Sequence, residues 1–215
     1  SFFCIPQRDD LSPPALFHGL YIASKHDICQ KYMGKYAVIF CDFKNITGGS
    51  WEEMFASFRV MVSNLYKEWY QYLGDSLDPE EKRFFDSIRL NTAVEYWIHS
   101  LNQLTGFLAQ KCGRKVMVFI DEYEAPNNRA YELDFFDKVP TVFFGGVLLM
   151  LLKTNADLEY ALLTGVTPVK AGWYRGVNNI AAHALDEHNS IFAGMVMFTE
   201  PDVLRLRTLS KVSHP

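Results

Sequence analysis

Apolar and polar positions along this chain follow two rhythms. Short, nearly continuous apolar runs at residues 36–43, 116–120 and 158–163 are bounded by turn-forming residues, which predicts three strands, the first two buried. Between them apolar residues recur every three or four positions, the signature of amphipathic helices. Trp51, Met54, Phe55, Phe58, Val62, Leu65, Trp69 and Leu73 lie on one helical face, behind the capping-box pattern Ser50-Trp51-Glu52-Glu53 and before Gly74. Their regular spacing marks a core face rather than a base-stacking platform. Asp78-Pro79-Glu80-Glu81 places a cap, a first-turn proline and acids where a helix dipole favours them, predicting a second helix to about Arg89. Thr92 and Glu95 have box spacing again, with Val94, Trp97, Ile98, Leu101, Leu104 and Leu108 on one face and Cys112-Gly113 as the stop. Residues 124–128 read as a loop and 135–153 as an apolar, buried helix. Residues 167–179 read as a polar loop bearing Gly and Pro, 199–207 as a capped helix, and 210–215 as a frayed tail. No internal repeat or low-complexity segment interrupts this order.

Strands alternating with helices imply an α/β fold, a mainly parallel sheet flanked by helices, whose ligands sit outside the carboxyl ends of the strands. Asp42, Asp121-Glu122 and Thr164 end the three strands, so three polar strand ends converge on one edge.

Composition narrows the possibilities. With 215 residues, 49% of them hydrophobic and 21% charged, the chain suffices for one sizeable core, and a single domain spanning 1–215 is expected. A net charge of −4 and a pI near 5.9 give no electrostatic footprint for nucleic acid or an anionic membrane. Cysteines 4, 29, 41 and 112 lack metal-site or disulfide-scaffold spacing and read as reduced, mostly buried thiols, which favours cytosol or nucleus over secretion. The longest apolar run, 139–152, is shorter than the roughly 20 residues that span a bilayer. His183 and His188 stand five apart, without metal-ligand spacing, so no zinc site is expected. The opening residues have neither a basic start nor a small-residue cleavage site, and they begin at Ser1, which suggests a segment removed upstream.

The chemistry concentrates at Val116-Met117-Val118-Phe119-Ile120-Asp121-Glu122. A buried strand that delivers two adjacent carboxylates at its end suits a hydrated Mg²⁺, a hard ion that takes oxygen ligands, and an attacking water. The same pair also fits a solvated strand end in which Glu122 caps the next turn. No G-x-x-x-x-G-K-[ST] occurs in these residues; Gly34-Lys35 is followed by Tyr36 and has Cys29 where the first glycine would stand.

An ordered series of segments is similar to the AAA-ATPase-like domain family of P-loop NTPases: Leu16-Phe17-His18-Gly19-Leu20-Tyr21-Ile22, Val38-Ile39-Phe40-Cys41-Asp42-Phe43, Ser50-Trp51-Glu52-Glu53, Phe119-Ile120-Asp121-Glu122-Tyr123-Glu124-Ala125-Pro126, Leu163-Thr164-Gly165-Val166, Gly176-Val177-Asn178-Asn179 and Phe198-Thr199-Glu200. The series spans about residues 15 to 205. The resemblance implies a three-layer fold, a Walker B-type pair in which Asp121 holds Mg²⁺ through water and Glu122 polarises the attacking water, and Thr164 as the sensor of the γ-phosphate. It further implies phosphate-binding charge from Lys170 and Arg175 and loop anchoring by Asn178 and Asn179. The family shows an arginine soon after its Thr-Gly motif, whereas here Val166-Thr167-Pro168-Val169-Lys170 follows, in a loop one residue shorter. The phosphate loop would lie upstream of Ser1, truncated or degenerate in this chain, so ATP and Mg²⁺ are the expected cofactors with weak or no binding as supplied. Two alternatives stand beside ATP hydrolysis: a non-catalytic pseudo-NTPase that docks a protein partner, and a nucleotide-regulated part of a nucleic-acid-processing protein, which the charge does not support. Homo-oligomerisation is a further expectation of the resemblance.

Overall fold

A computed structural model of the chain describes residues 2–6, 13–93, 95–135, 138–166, 180–183, 192 and 200–210. Residues 1–179 form one compact unit and 180–215 a second. Within the first, β1 (Val38–Asp42), β2 (Val116–Asp121) and β3 (Leu158–Leu163) form a parallel sheet in the order β1-β2-β3. The register aligns Asp42 with Asp121 and Cys41 with Ile120 and Leu163, which sets the polar ends level at one edge.

Parallel neighbours need long crossovers, and helices supply them. α1 (Pro13–Leu16) and α2 (His26–Tyr32) precede β1; α3 (Trp51–Leu73), α4 (Pro79–Arg89) and α5 (Ser100–Cys112) connect β1 to β2; α6 (Ala125–Glu132) and α7 (Lys138–Leu152) connect β2 to β3. α3 starts where the side chain of Ser50 accepts the Glu53 N–H at 3.3 Å, while Glu53 reaches back to the Gly49 N–H at 2.7 Å. It stops at Gly74, whose φ of +47° suits a residue without Cβ. α4 carries a complete capping box between Asp78 and Glu81.

One sheet face is sealed over β1 and β2, while β3 at the edge stays largely exposed. Ile39, Cys41, Val118 and Ile120 pack against Met54, Phe58 and Val62 of α3, Leu101, Leu104 and Leu108 of α5, and Phe144, Leu148 and Leu151 of α7. Burial of each such side chain contributes about 1.5–3 kcal/mol. Tyr66 donates to the Ser100 carbonyl at 2.7 Å, tying α3 to the start of α5 inside this layer. Among the described residues the other face is covered at its start, where Val38 and Met117 pack with Phe3, Tyr32 and Tyr36, and Phe3–Ile5 hydrogen-bonds alongside Tyr36. In the second unit the described elements are α8 (Glu200–Ser210) and an edge-on contact of His183 with Phe192.

Three local expectations are corrected. No helix begins at the Thr92 box: the Thr92 hydroxyl donates to the Ser87 carbonyl at the end of α4, Tyr96 sits at φ +71°, and a single 3₁₀ turn at Trp97–His99 precedes α5. Thr92 serves the preceding helix's orphan carbonyls instead of the following helix's amides. Residues 125–132, whose first part reads as a loop, are helix α6, because Pro126 falls in the first turn, where its missing N–H costs nothing. Only Cys41 is fully buried; Cys4, Cys29 and Cys112 are half-buried free thiols. Among the described residues, no helix is long and apolar enough to cross a membrane.

Candidate functional site

The carboxyl edge of the sheet brings Asp121, Glu122 and Thr164 together. The apolar run of β2 ends at Asp121, and the chain then turns sharply: Glu122 adopts φ +49°, a left-handed conformation uncommon for a residue with a Cβ. The turn leads directly into α6, with the Ala125 N–H donating to the Glu122 carbonyl at 2.9 Å. Asp121 Oδ1 accepts two hydrogen bonds, from the Glu122 N–H at 3.1 Å and from the Thr164 hydroxyl at 2.5 Å. The backbone fixes that pairing, since the Thr164 N–H donates to the Ile120 carbonyl at 2.9 Å and the Tyr123 N–H to the Thr164 carbonyl at 3.3 Å. The strained turn therefore separates the two carboxylates: Asp121 is locked to β3, while Glu122 projects from the edge.

Glu122 has its own partner, which sequence reasoning missed. Lys44 Nζ lies 3.2 Å from Glu122 Oε1. Lys44 sits on a 3₁₀ turn (Phe43–Asn45) that Asp42 organises: Asp42 Oδ1 accepts the Lys44 N–H at 3.0 Å and Oδ2 the Asn45 side-chain amide at 2.8 Å. Asp42 thus caps its own turn, as a strand-end loop acid does, and does not join the other carboxylates. Lys44 and Glu122 are 78 positions apart, and no local pattern connects them.

A second missed residue is Glu124. It is buried, its Oε1 accepts the Val166 N–H at 2.5 Å, and so it holds the chain just beyond Thr164. Gly165 is required there, because a Cβ would press into the Glu124 carboxylate and come within 2.8 Å of the Tyr123 ring. Tyr123 is buried beside it, and burial, then the Glu124 carboxylate, pushes its phenol up to about 12. The adjacency of Glu124 to the acid pair is visible in sequence, but its burial is not.

Lys170, Arg175, Asn178 and Asn179 lie outside the described residues, as does the loop expected at 167–179. Among the described residues, no group of three or more His, Cys, Asp or Glu side chains is arranged to enclose a metal ion. The donor set present is of another kind: one fixed carboxylate and one hydroxyl, all hard oxygen, which suits Mg²⁺ held mainly by water and phosphate oxygens.

This set lies at the end of the central strand of a parallel α/β sheet, beside a hydroxyl that follows the neighbouring strand. The model of the AAA-ATPase-like family, described as predicted AAA-ATPase, matches residues 2–172. The chain belongs to this family. No curated protein and no solved structure matches the chain.

Proposed function

We propose that this chain carries the metal-and-water end of an ATP-hydrolysing site in an AAA-ATPase-like domain. The observation that supports it best is the Thr164-to-Asp121 hydrogen bond of 2.5 Å between adjacent strand ends, with Glu122 turned out beside it. Asp121 would hold the water shell of Mg²⁺, and the ion would bridge and neutralise phosphate oxygens. Glu122, at the exposed edge, orients the attacking water and takes up its proton. Thr164 keeps the Asp121 carboxylate aligned and links it to β3, so that a change at the phosphate end reaches Gly165, Val166 and Glu124. Lys170 and Arg175 add charge to the phosphate, and Asn178 and Asn179 anchor the loop that carries them.

These residues fit Mg²⁺ and the attacking water; the phosphate-cradling motif is not among the 215 residues, so the chain by itself binds nucleotide weakly. The second reading is a pseudo-NTPase that keeps the scaffold and docks a protein partner; a phosphate-cradling motif upstream in the full-length protein would favour the enzyme, and its absence there the module.

Thermal unfolding with and without Mg²⁺-ATP separates the two. Ligand at 100 times its Kd adds about 2.7 kcal/mol and moves the midpoint by several degrees. The expected result at millimolar nucleotide is a small shift that Asp121→Ala abolishes; no shift even with any native upstream segment restored overturns the nucleotide reading and leaves the docking scaffold.

A further inference from the structure

β1 stands at one end of the sheet order, and its outer edge is only partly used. The Met117 N–H donates to the Ala37 carbonyl at 3.0 Å, so Ala37 faces β2; backbone groups alternate along a strand, which turns those of Tyr36, Val38 and Phe40 outward. Phe3–Ile5 runs parallel along the beginning of that edge, where the Phe3 carbonyl accepts the Tyr36 N–H at 2.9 Å and the Ile5 N–H donates to the Tyr36 carbonyl at 2.8 Å. Among the described residues no backbone partner reaches Phe40 farther along. Open edges are commonly blunted by lysine, proline or a bulge, and β1 has none of these. Beside the edge, α3 leaves a groove of about 550 Å³. Phe40, Val60, Met61 and Leu65 make it apolar, and Phe40 and Val60 are each more than half exposed. The Ser57 hydroxyl donates to the Thr47 carbonyl at 2.6 Å, which sets the start of α3 by the carboxyl end of β1. Asp42 therefore bounds one end of the groove, and Glu68, about three helical turns beyond Ser57, bounds the other. Asp42 accepts from neutral donors, the Lys44 N–H and the Asn45 amide, and Glu68 has no ion pair among the described residues. No lysine or arginine lines the groove, so two carboxylate charges stand uncompensated beside an apolar floor.

We propose that the outer edge of β1 and the adjoining stripe of α3 form a docking groove for an extended peptide of a partner protein, one that carries apolar and basic side chains and adds to the sheet beside Phe40. The inference goes beyond the nucleotide reading and does not depend on it. The backbone sets the conformation of the occupant, because an unpaired strand edge is satisfied by another extended chain. The groove sets its length: α3 spans about 18 Å from Ala56 to Glu68, which about five extended residues cover. Charge sets its composition. Apolar side chains cover Phe40, Val60 and Met61, while lysine or arginine at the ends meets Asp42 and Glu68, and an acidic peptide is repelled by the same two carboxylates. Main-chain hydrogen bonds thus give affinity, and the two acids give selectivity for cationic sequences.

The test is an amide NMR titration of the full chain with an end-blocked peptide, Thr-Val-Lys-Val-Arg-Val-Thr, and with a control in which glutamate replaces both cations. The basic peptide should move the amides of Phe40 and of α3 around Val60, and the acidic one should not. Glu68→Gln should weaken the basic peptide about threefold, as loss of one exposed pair does, and Val60→Lys about tenfold, because it removes an apolar contact and adds a like charge. Glu68→Lys should let the acidic peptide bind. No shifts at millimolar basic peptide, shifts centred elsewhere, or equal binding of both peptides overturn the inference. Self-association of the chain that Val60→Lys abolishes also overturns it, by assigning the groove to a second copy. Both substituted positions are exposed, so the melting temperature of each variant should stay near wild type; the Glu68 charge exchange decides the matter even if Val60→Lys is unstable.

Discussion

The two faces of the sheet differ more than the α/β pattern alone suggests. On one, Ile39, Cys41 and Val118 are completely excluded from solvent beneath α3, α5 and α7. On the other, Phe40 and Leu162 expose half or more of their surface although both lie in the same register row through Phe119. Parallel sheets are usually covered on both faces, so the strands carry apolar residues on both sides whatever each face finally meets. The sealed face therefore supplies stability. The open face adds little to it, and the carboxyl edge between them is where the proposed site lies.

The sharpest way to break this comparison is a pair of equal truncations. Phe58→Ala, in the sealed layer, should cost about 3–5 kcal/mol in urea unfolding, whereas Phe40→Ala should stay within about 0.5 kcal/mol. Equal losses would mean that the open face is covered in solution. Alkaline titration addresses the sealed face next. Burial, and then the Glu68 carboxylate, pushes the Cys41 thiol up from 9.0 to about 12. The folded state therefore keeps a proton that the unfolded state releases, so the stability linked to it is complete below pH 9 and is lost as pH rises towards 12. That loss is on the order of a few kcal/mol, and Cys41→Ala should flatten the alkaline limb of a stability–pH curve. Tyr123 acts in the same direction between pH 10 and about 12. At the edge, Gly165→Ala should cost about 1–3 kcal/mol, because the new methyl must displace the buried Glu124 carboxylate from Val166. The same variant should diminish any Mg²⁺-ATP shift; an unchanged midpoint in both assays would show that the Glu124 contact yields freely.

Much of this was readable along the chain. The three strands, the Ser50 and Asp78 caps, the Gly74 and Gly113 stops and the α3 core face depend on neighbours within a turn or two, and local chemistry decides them. The Thr92 box failed because its hydroxyl had a competing local acceptor at the end of α4. Residues 124–128 misled because Pro126 and two asparagines read as a loop when the first turn of a helix also accommodates them.

The sequence by itself determined that an Asp-Glu pair ends a buried strand and that Thr164 follows a further strand, since apolar runs and their polar stops are local. Only the tertiary structure decided which of these groups meet. The parallel register of β2 with β3 brings Thr164 to Asp121, the left-handed turn at Glu122 parts it from its neighbour, and the Asp42-capped turn carries Lys44 across 78 positions to meet it. Such pairings depend on where the crossovers return the chain, which composition and periodicity leave unspecified.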